Sequence, residues 1–183
     1  MRLLLCMAIA CSTSAFGQMF IKSKEADKQD SLFMLNLGKP YPAFTATTLE
    51  GKTVTEKEMI GKVTFINFWW QFCGPCIAEF DALNALYGKF RSNPKFQYLS
   101  FTYDSISDAK EMVRKHGLPY PVCSIPQKEC YRLNFGKGFP TTIIVDQTGK
   151  VAFLESGGGK DKEIASQLVL QFEKEIEKLL EKE

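Results

Sequence analysis

A predominantly apolar run, Val63 to Trp70, stops two residues before Cys73-Gly74-Pro75-Cys76. Gly61-Lys62 bounds the run, which has the pattern of a strand buried on both faces and so belongs at the centre of a sheet. From Pro75 onward Ile77, Phe80, Leu83, Leu86, Tyr87 and Phe90 recur at three and four residues, predicting an amphipathic helix that ends before Pro94. A strand followed by a helical segment is the start of an alternation of strands and helices, for which the expected class is α/β.

The rest of the chain agrees with that class. Phe44 to Thr48 and Thr53 to Thr55 flank Glu50-Gly51, a hairpin with a glycine-containing turn. Phe96 to Tyr103 reads as a second strand, and Ser107 to His116 as a second helix stopped by Gly117 and Pro119. Thr141 to Val145 and Val151 to Leu154 form a hairpin around Gln147-Thr148-Gly149. Ile164, Leu168, Phe172, Ile176 and Leu180 are spaced by four with charges between them, which predicts a terminal helix laid across the sheet. The expected architecture is a central mixed β-sheet flanked by helices, with an N-terminal β-hairpin extension.

Charge excludes one class of partner. The 183 residues carry 23 basic and 21 acidic side chains, a formal net charge of +2, with the signs interspersed, so nucleic acid is not an expected partner. The amino terminus suggests a compartment. Met1 and Arg2 precede an apolar stretch from Leu3 to Cys11, followed by Ser12-Thr13-Ser14 and Ala15-Phe16-Gly17. Residues 1–17 therefore read as a signal peptide cleaved after Gly17, ahead of a polar lead-in over 18–35 and a domain over 36–183. The stretch is shorter than the roughly 20 residues that cross a bilayer. Two other readings stand beside it: a buried amino-terminal helix, and a lipoprotein signal in which Cys11 is acylated and tethers the domain. An exported domain retains Cys73, Cys76, Cys123 and Cys130, each able to hold a disulfide in an oxidising compartment.

Cys73 falls where strand gives way to helix. Free backbone N–H groups and the helix dipole stabilise an anion there, favouring its thiolate, with a pKa in the roughly 3.5 to 7.5 range of such sites. Pro75 suits the first helical turn, where its missing N–H is not needed. Cys76, three residues on, can reach back and close a small reversible ring. The spacing also fits a zinc half-site, for which Cys123, Cys130 and the single histidine, His116, would have to supply further ligands, and an inert structural disulfide. The helix start favours redox exchange without metal or other cofactor. Cys123 and Cys130 are either a second disulfide or two buried thiols, and His116 is expected to cap a helix end.

Asn67 to Cys76, with its Phe68-Trp69-Trp70-Gln71-Phe72 centre, resembles the thioredoxin active-site motif. Phe139-Pro140-Thr141-Thr142 resembles the segment in which thioredoxin folds carry a cis-proline facing the cysteines. Gly38 to Phe44, Leu49 to Val54, Gly61-Lys62-Val63 and Val145 to Val151 follow in the order of TlpA/ResA-like extracytoplasmic thioredoxins, across most of residues 36–180. The resemblance implies a thioredoxin-like fold and an exported thiol-disulfide oxidoreductase of the periplasm or cell envelope. It implies Cys73 and Cys76 as the catalytic redox pair, and Phe72, Gly74, Pro75, Phe139 and Pro140 as the substrate-binding surface. The implied partners are proteins carrying disulfides, apocytochrome c among them, and a membrane thiol-electron donor; a monomer is expected.

Two departures bear on mechanism. Cytosolic thioredoxins place a buried aspartate where this chain has Asn67, and an amide cannot accept the proton that Cys76 must lose. Glu79, three residues after Cys76 on the same helix face, is the expected replacement, a partly buried carboxylate with a raised pKa; its other reading is a first-turn acid favoured by the dipole. Phe72 stands where most relatives have Trp, keeping an aromatic surface without the indole donor. The competing functions are a disulfide-donating oxidant on the same scaffold, a peroxidase, and a metal-delivery module of thioredoxin fold.

Overall fold

The apolar run becomes β3 (Val63–Trp69), all seven residues buried. It follows the hairpin of β1 (Thr45–Thr47) and β2 (Thr53–Thr55), which turns at Gly51 with φ of 90°, and a 3₁₀ turn at Glu56–Met59 closed by a Thr55/Glu58 capping box. After β3 come α1 (Gly74–Phe90), β4 (Phe96–Thr102), α2 (Ile106–His116), β5 (Val122–Ser124) and α3 (Gln127–Leu133). The chain then forms β6 (Thr141–Val145), β7 (Val151–Ser156) and α4 (Lys162–Leu180). The computed structural model describes residues 31, 33–159 and 161–182, and the chain divides into units 1–35 and 36–183, the second of which holds the sheet and all the elements named above. The signal, its cleavage site and Cys11 lie outside the described residues.

Five strands form one sheet in the order β5-β4-β3-β6-β7. β3 lies at its centre, parallel to β4 through the α1 crossover and antiparallel to β6, so the sheet is mixed. On one face Phe65 and Trp69 meet α1 and α4: Trp69 sits edge-on to Phe80 at 5.5 Å, and Phe65 lies 5.7 Å from Phe172. On the other, Phe68 stacks on Phe101 at 5.3 Å, and Phe44 from the N-terminal segment meets Phe101 edge-on. Each such ring contributes roughly 1.5–3 kcal/mol by burial, which fixes the central strand and therefore the point where α1 begins.

Three details differ from expectation. The buried stripe of α4 is Ala165, Val169, Phe172, Ile176 and Leu179, whereas Ile164 is 52% exposed. A strict spacing of four advances 40° beyond a full turn at each step on a helix of 3.6 residues per turn, so it drifts off the core face, and alternating three and four keeps to it. β5 and α3, unmarked in the sequence reading, are three and seven residues long between Pro121, Pro126 and the Gly136 turn, too short for a period to show. His116 is the last residue of α2, but Gly117 takes the cap, with φ of 59° and its N–H donating to the Val113 carbonyl. The imidazole instead packs 5.2 Å from the Phe80 ring, and burial lowers its pKa.

Candidate active site

Cys73 is the N-cap of α1. Its Sγ accepts the N–H of Cys76 at 3.2 Å, its carbonyl accepts from Ile77, and Pro75 occupies the first turn as its geometry favours. Cys73 and Cys76 are joined in a disulfide with Cα atoms 5.2 Å apart. Both sulfurs sit beneath the surface, while Gly74 between them is exposed.

Glu79 lies one turn behind Cys76 and is only 2% exposed. Its Oε1 has no hydrogen-bond partner among the described residues. Burial, with a smaller contribution from the charge of Glu155, pushes its pKa up to about 8. The cis-proline segment closes over this group. The Phe139–Pro140 peptide is cis, the Pro140 carbonyl accepts the Gly157 N–H at 2.9 Å, and Gly158 lies between the two parts of the site. A Cβ on Gly158 would stand 2.6 Å from Glu79 Oε1, 2.7 Å from Pro140 Cγ and 3.2 Å from Pro75 Cβ. Only glycine lets this backbone approach so closely. Pro75 and Glu79 of α1 thus meet Pro140, far away in sequence, at one residue.

Aromatic side chains surround the exposed mouth. Phe72 is 73% exposed and leans against Trp70, which stacks on Tyr103; Tyr103 and Tyr131 both contact Phe139. The loop before Cys73 is held from beneath: Asp104 accepts the Gln71 N–H and the Thr102 hydroxyl, each at 2.8 Å. Tyr103, Asp104 and Tyr131 were not assigned to the site from the sequence, because only the fold brings the end of β4 and the helix α3 beside the motif. The redox pair, Glu79 and the five residues of the expected substrate surface all lie around the start of α1 and of β6.

Cys123 and Cys130 are free thiols, fully buried, each pushed up to about 12 chiefly by burial. Of the two readings of this pair, the structure has the thiols. Among the described residues no three His, Cys, Asp or Glu side chains are grouped so as to hold a metal ion. Among those residues, too, no helix is long and apolar enough to cross a membrane.

Comparison with known proteins gives the same result from several sides. Residues 37–154 match the AhpC/TSA family. Thiol-disulfide oxidoreductase ResA of Bacillus thuringiensis (strain Al Hakam) is 34% identical over 128 residues, covering 69% of this chain and 70% of the relative. The ResA of Halalkalibacterium halodurans is 24% identical over 153 residues, 82% of this chain and 83% of that one. The crystal structure of a putative thiol:disulfide interchange protein DsbE from Chlorobium tepidum is similar with a TM-score of 0.64 at 25% identity, covering 75% of this chain and 96% of that chain. With its thioredoxin-like fold and its paired cysteines at the start of α1, the chain belongs to the AhpC/TSA family and is a thiol-disulfide oxidoreductase.

Proposed function

We propose that the protein reduces disulfides of exported proteins in the periplasm or cell envelope, apocytochrome c among the candidate substrates, and is itself reduced by a membrane thiol donor. The observation that carries this reading is the asymmetry of the pair: the Cys73 sulfur accepts a backbone N–H at a helix start, whereas Cys76 is 1% exposed beside a buried carboxyl. Reduced Cys73 is the nucleophile. Its thiolate attacks one sulfur of the substrate disulfide, the substrate S–S bond breaks, and the departing substrate thiolate takes a proton from water. Cys76 then gives its proton to the Glu79 carboxylate and attacks Cys73 Sγ, releasing the second substrate thiolate. Two electrons pass to the substrate, and a dithiol on the donor restores the pair.

Glu79 suits this exchange because an acid raised to about 8 lies close to the ordinary thiol value of roughly 8.5, so a proton moves between them with little driving force either way. Phe139 and cis-Pro140 offer an extended edge for a substrate strand, with Gly74 and Pro75 bounding it and Phe72 supplying apolar contact. The compartment rests on the signal-like residues 1–17. Two measurements test the reading. A Cys76→Ser chain, folded and exposed to envelope proteins, is expected to accumulate a mixed disulfide through Cys73; its absence would refute the mechanism. Equilibration against thiol buffers is expected to give a potential near or below about −250 mV, whereas a value near −120 mV would make the protein a disulfide donor.

A further inference from the structure

The register of the sheet aligns four polar side chains in one row: Ser100 on β4, Asn67 on β3, Thr142 on β6 and Glu155 on β7. The row two residues earlier along β3, on the same face, is Tyr98, Phe65, Ile144 and Phe153, part of the core against α1 and α4. The polar row therefore lies on the face that α1 covers with Cys76 and Glu79. Its inner members are buried, and Asn67 Oδ1 has no partner among the described residues, as Glu79 Oε1 has none. Its outer member, Glu155, is half-buried and lines, with Ser156 to Gly159, an open cleft of about 420 Å³. Gly158 belongs to that cleft and is also the residue whose Cβ would stand 2.6 Å from Glu79 Oε1. A single glycine separates the buried carboxyl from the cleft that Glu155 occupies.

We infer that Glu155 is the solvent-side member of a carboxyl pair with Glu79, setting the charge of the buried acid and passing its protons to and from water. The inference rests on the proposal that Glu79 exchanges a proton with Cys76. As Cys76 attacks Cys73 Sγ and the substrate thiolate departs with the electron pair of the broken S–S bond, the Cys76 proton goes to Glu79, from there to the Glu155 carboxylate, and then to water in the cleft; the relay from Glu79 to water carries protons only. The groups that face Glu79 agree. From β7 the Glu155 charge acts against ionisation of Glu79, and Glu155 is itself raised, first by burial and against the Ser156 N–H that its Oε1 accepts. Tyr98 and Tyr120 sense the Glu79 charge but stay neutral, both phenols being raised by burial. Asp81, on the exposed side of α1, is paired with Lys162 of α4 at 2.6 Å.

Carboxyl carbon NMR of the oxidised full chain, with glutamate labelled, tests the pair directly. In the wild-type protein Glu79 is expected to titrate with its main midpoint near 8 and a second inflection where Glu155 titrates. In Glu155→Gln the inflection disappears, the midpoint falls by roughly half to one pH unit, and the pH profile for release of a mixed disulfide with a small peptide thiol moves with it. Glu155→Asp restores both in part, which a merely structural role would not do. A Glu155→Gln midpoint and profile that coincide with wild type would overturn the pair, as would a wild-type titration of Glu79 without the second inflection. The acid role of Glu79 has its own test: a Glu79→Gln chain that exchanges disulfides at the wild-type rate removes that role, whatever the Glu155 variants show.

Discussion

Two cysteine pairs lie in this domain, and their surroundings are opposite. Cys73 heads a helix, its sulfur accepts a backbone N–H, and Cys76 stands close enough for a disulfide. Cys123 sits in edge strand β5 and Cys130 in the short α3, both free, both fully buried, with thiols pushed up to about 12. The chemistry of the side chain is the same in all four. Reactivity follows from whether the fold offers the sulfur a stabilised thiolate and a partner, or only apolar neighbours that make it a small hydrophobe.

The largest effect that separates the pairs is catalytic. Cys73→Ser is expected to lower the rate of peptide-disulfide reduction by at least roughly a thousandfold, as loss of a nucleophile does. Converting Cys123 and Cys130 together to Ala should leave that rate within about twofold and cost only stability, of order 1 kcal/mol per site. Alkylation of the reduced protein at pH 7 checks the same contrast without variants. Cys73 labels first, and Cys123 and Cys130 label only after unfolding; comparable labelling of Cys123 in the folded chain would show that burial does not silence the second pair.

Next comes the acid that only the first pair possesses. Glu79 rises from 4.5 to about 8 on folding, so between those values the folded oxidised protein binds a proton that the unfolded chain does not. Stability is therefore highest below pH 4.5 as far as this group is concerned, and it declines as pH rises towards 8, by an amount on the order of 4 kcal/mol. Denaturant titrations at pH 5 and pH 9 check it, with Glu79→Gln expected to flatten the difference. A Glu79→Gln chain with the same pH slope would show that another group carries it.

Much of this contrast was legible from the residues. The apolar run, the cysteine spacing and the change of period after Pro75 led to strand, redox pair and helix, because each is a local signal written in a few adjacent side chains. The raised acid at Glu79 was also legible from its spacing to Cys76. The second pair was not: β5 and α3 are too short for periodicity, so nothing in the sequence distinguished a second disulfide from buried thiols. Gly158, Tyr103, Tyr131 and Glu155 were invisible for a related reason. They reach the site through strand register and the turn of α3, which couple positions far apart in sequence. The expected stripe of α4 holds at Phe172 and Ile176 and drifts off the core face towards its ends, because a spacing of four is nearly, but not fully, one helical turn.

Asp104 touches both regions. Its carboxyl holds the Gln71 N–H ahead of Cys73, its carbonyl accepts the Ser124 hydroxyl beside Cys123, and its charge is among the causes that raise Cys130. Asp104→Ala leaves the Gln71 donor without its acceptor, which is expected to cost about 1–3 kcal/mol. It should also slow exchange at Cys73 several-fold by loosening the loop, while Cys130 remains unreactive, since burial is the first cause of its high pKa. Equal losses of protection at Cys73 and Cys130 in a labelling experiment would show that Asp104 holds the whole end of the domain rather than the active-site loop.

Phe72 should give the smallest change in stability and the most selective change in function. The ring is 73% exposed and its described aromatic contact is Trp70, at 5.4 Å between centroids, so Phe72→Ala removes little buried area and is expected to shift stability by no more than about 0.5 kcal/mol. On the proposed substrate path along Phe139 and Pro140, the same exposure leaves the ring free to contact a substrate chain. For a peptide disulfide the variant should therefore raise KM by a few-fold with kcat nearly intact, because the lost contact is present in ground state and transition state alike. For dithiothreitol, too small to reach the ring, the rate should not change, and the reduction potential should stay where the wild type has it. A uniform fall in both reactions would instead mean that Phe72, through Trp70, positions Cys73 rather than substrate.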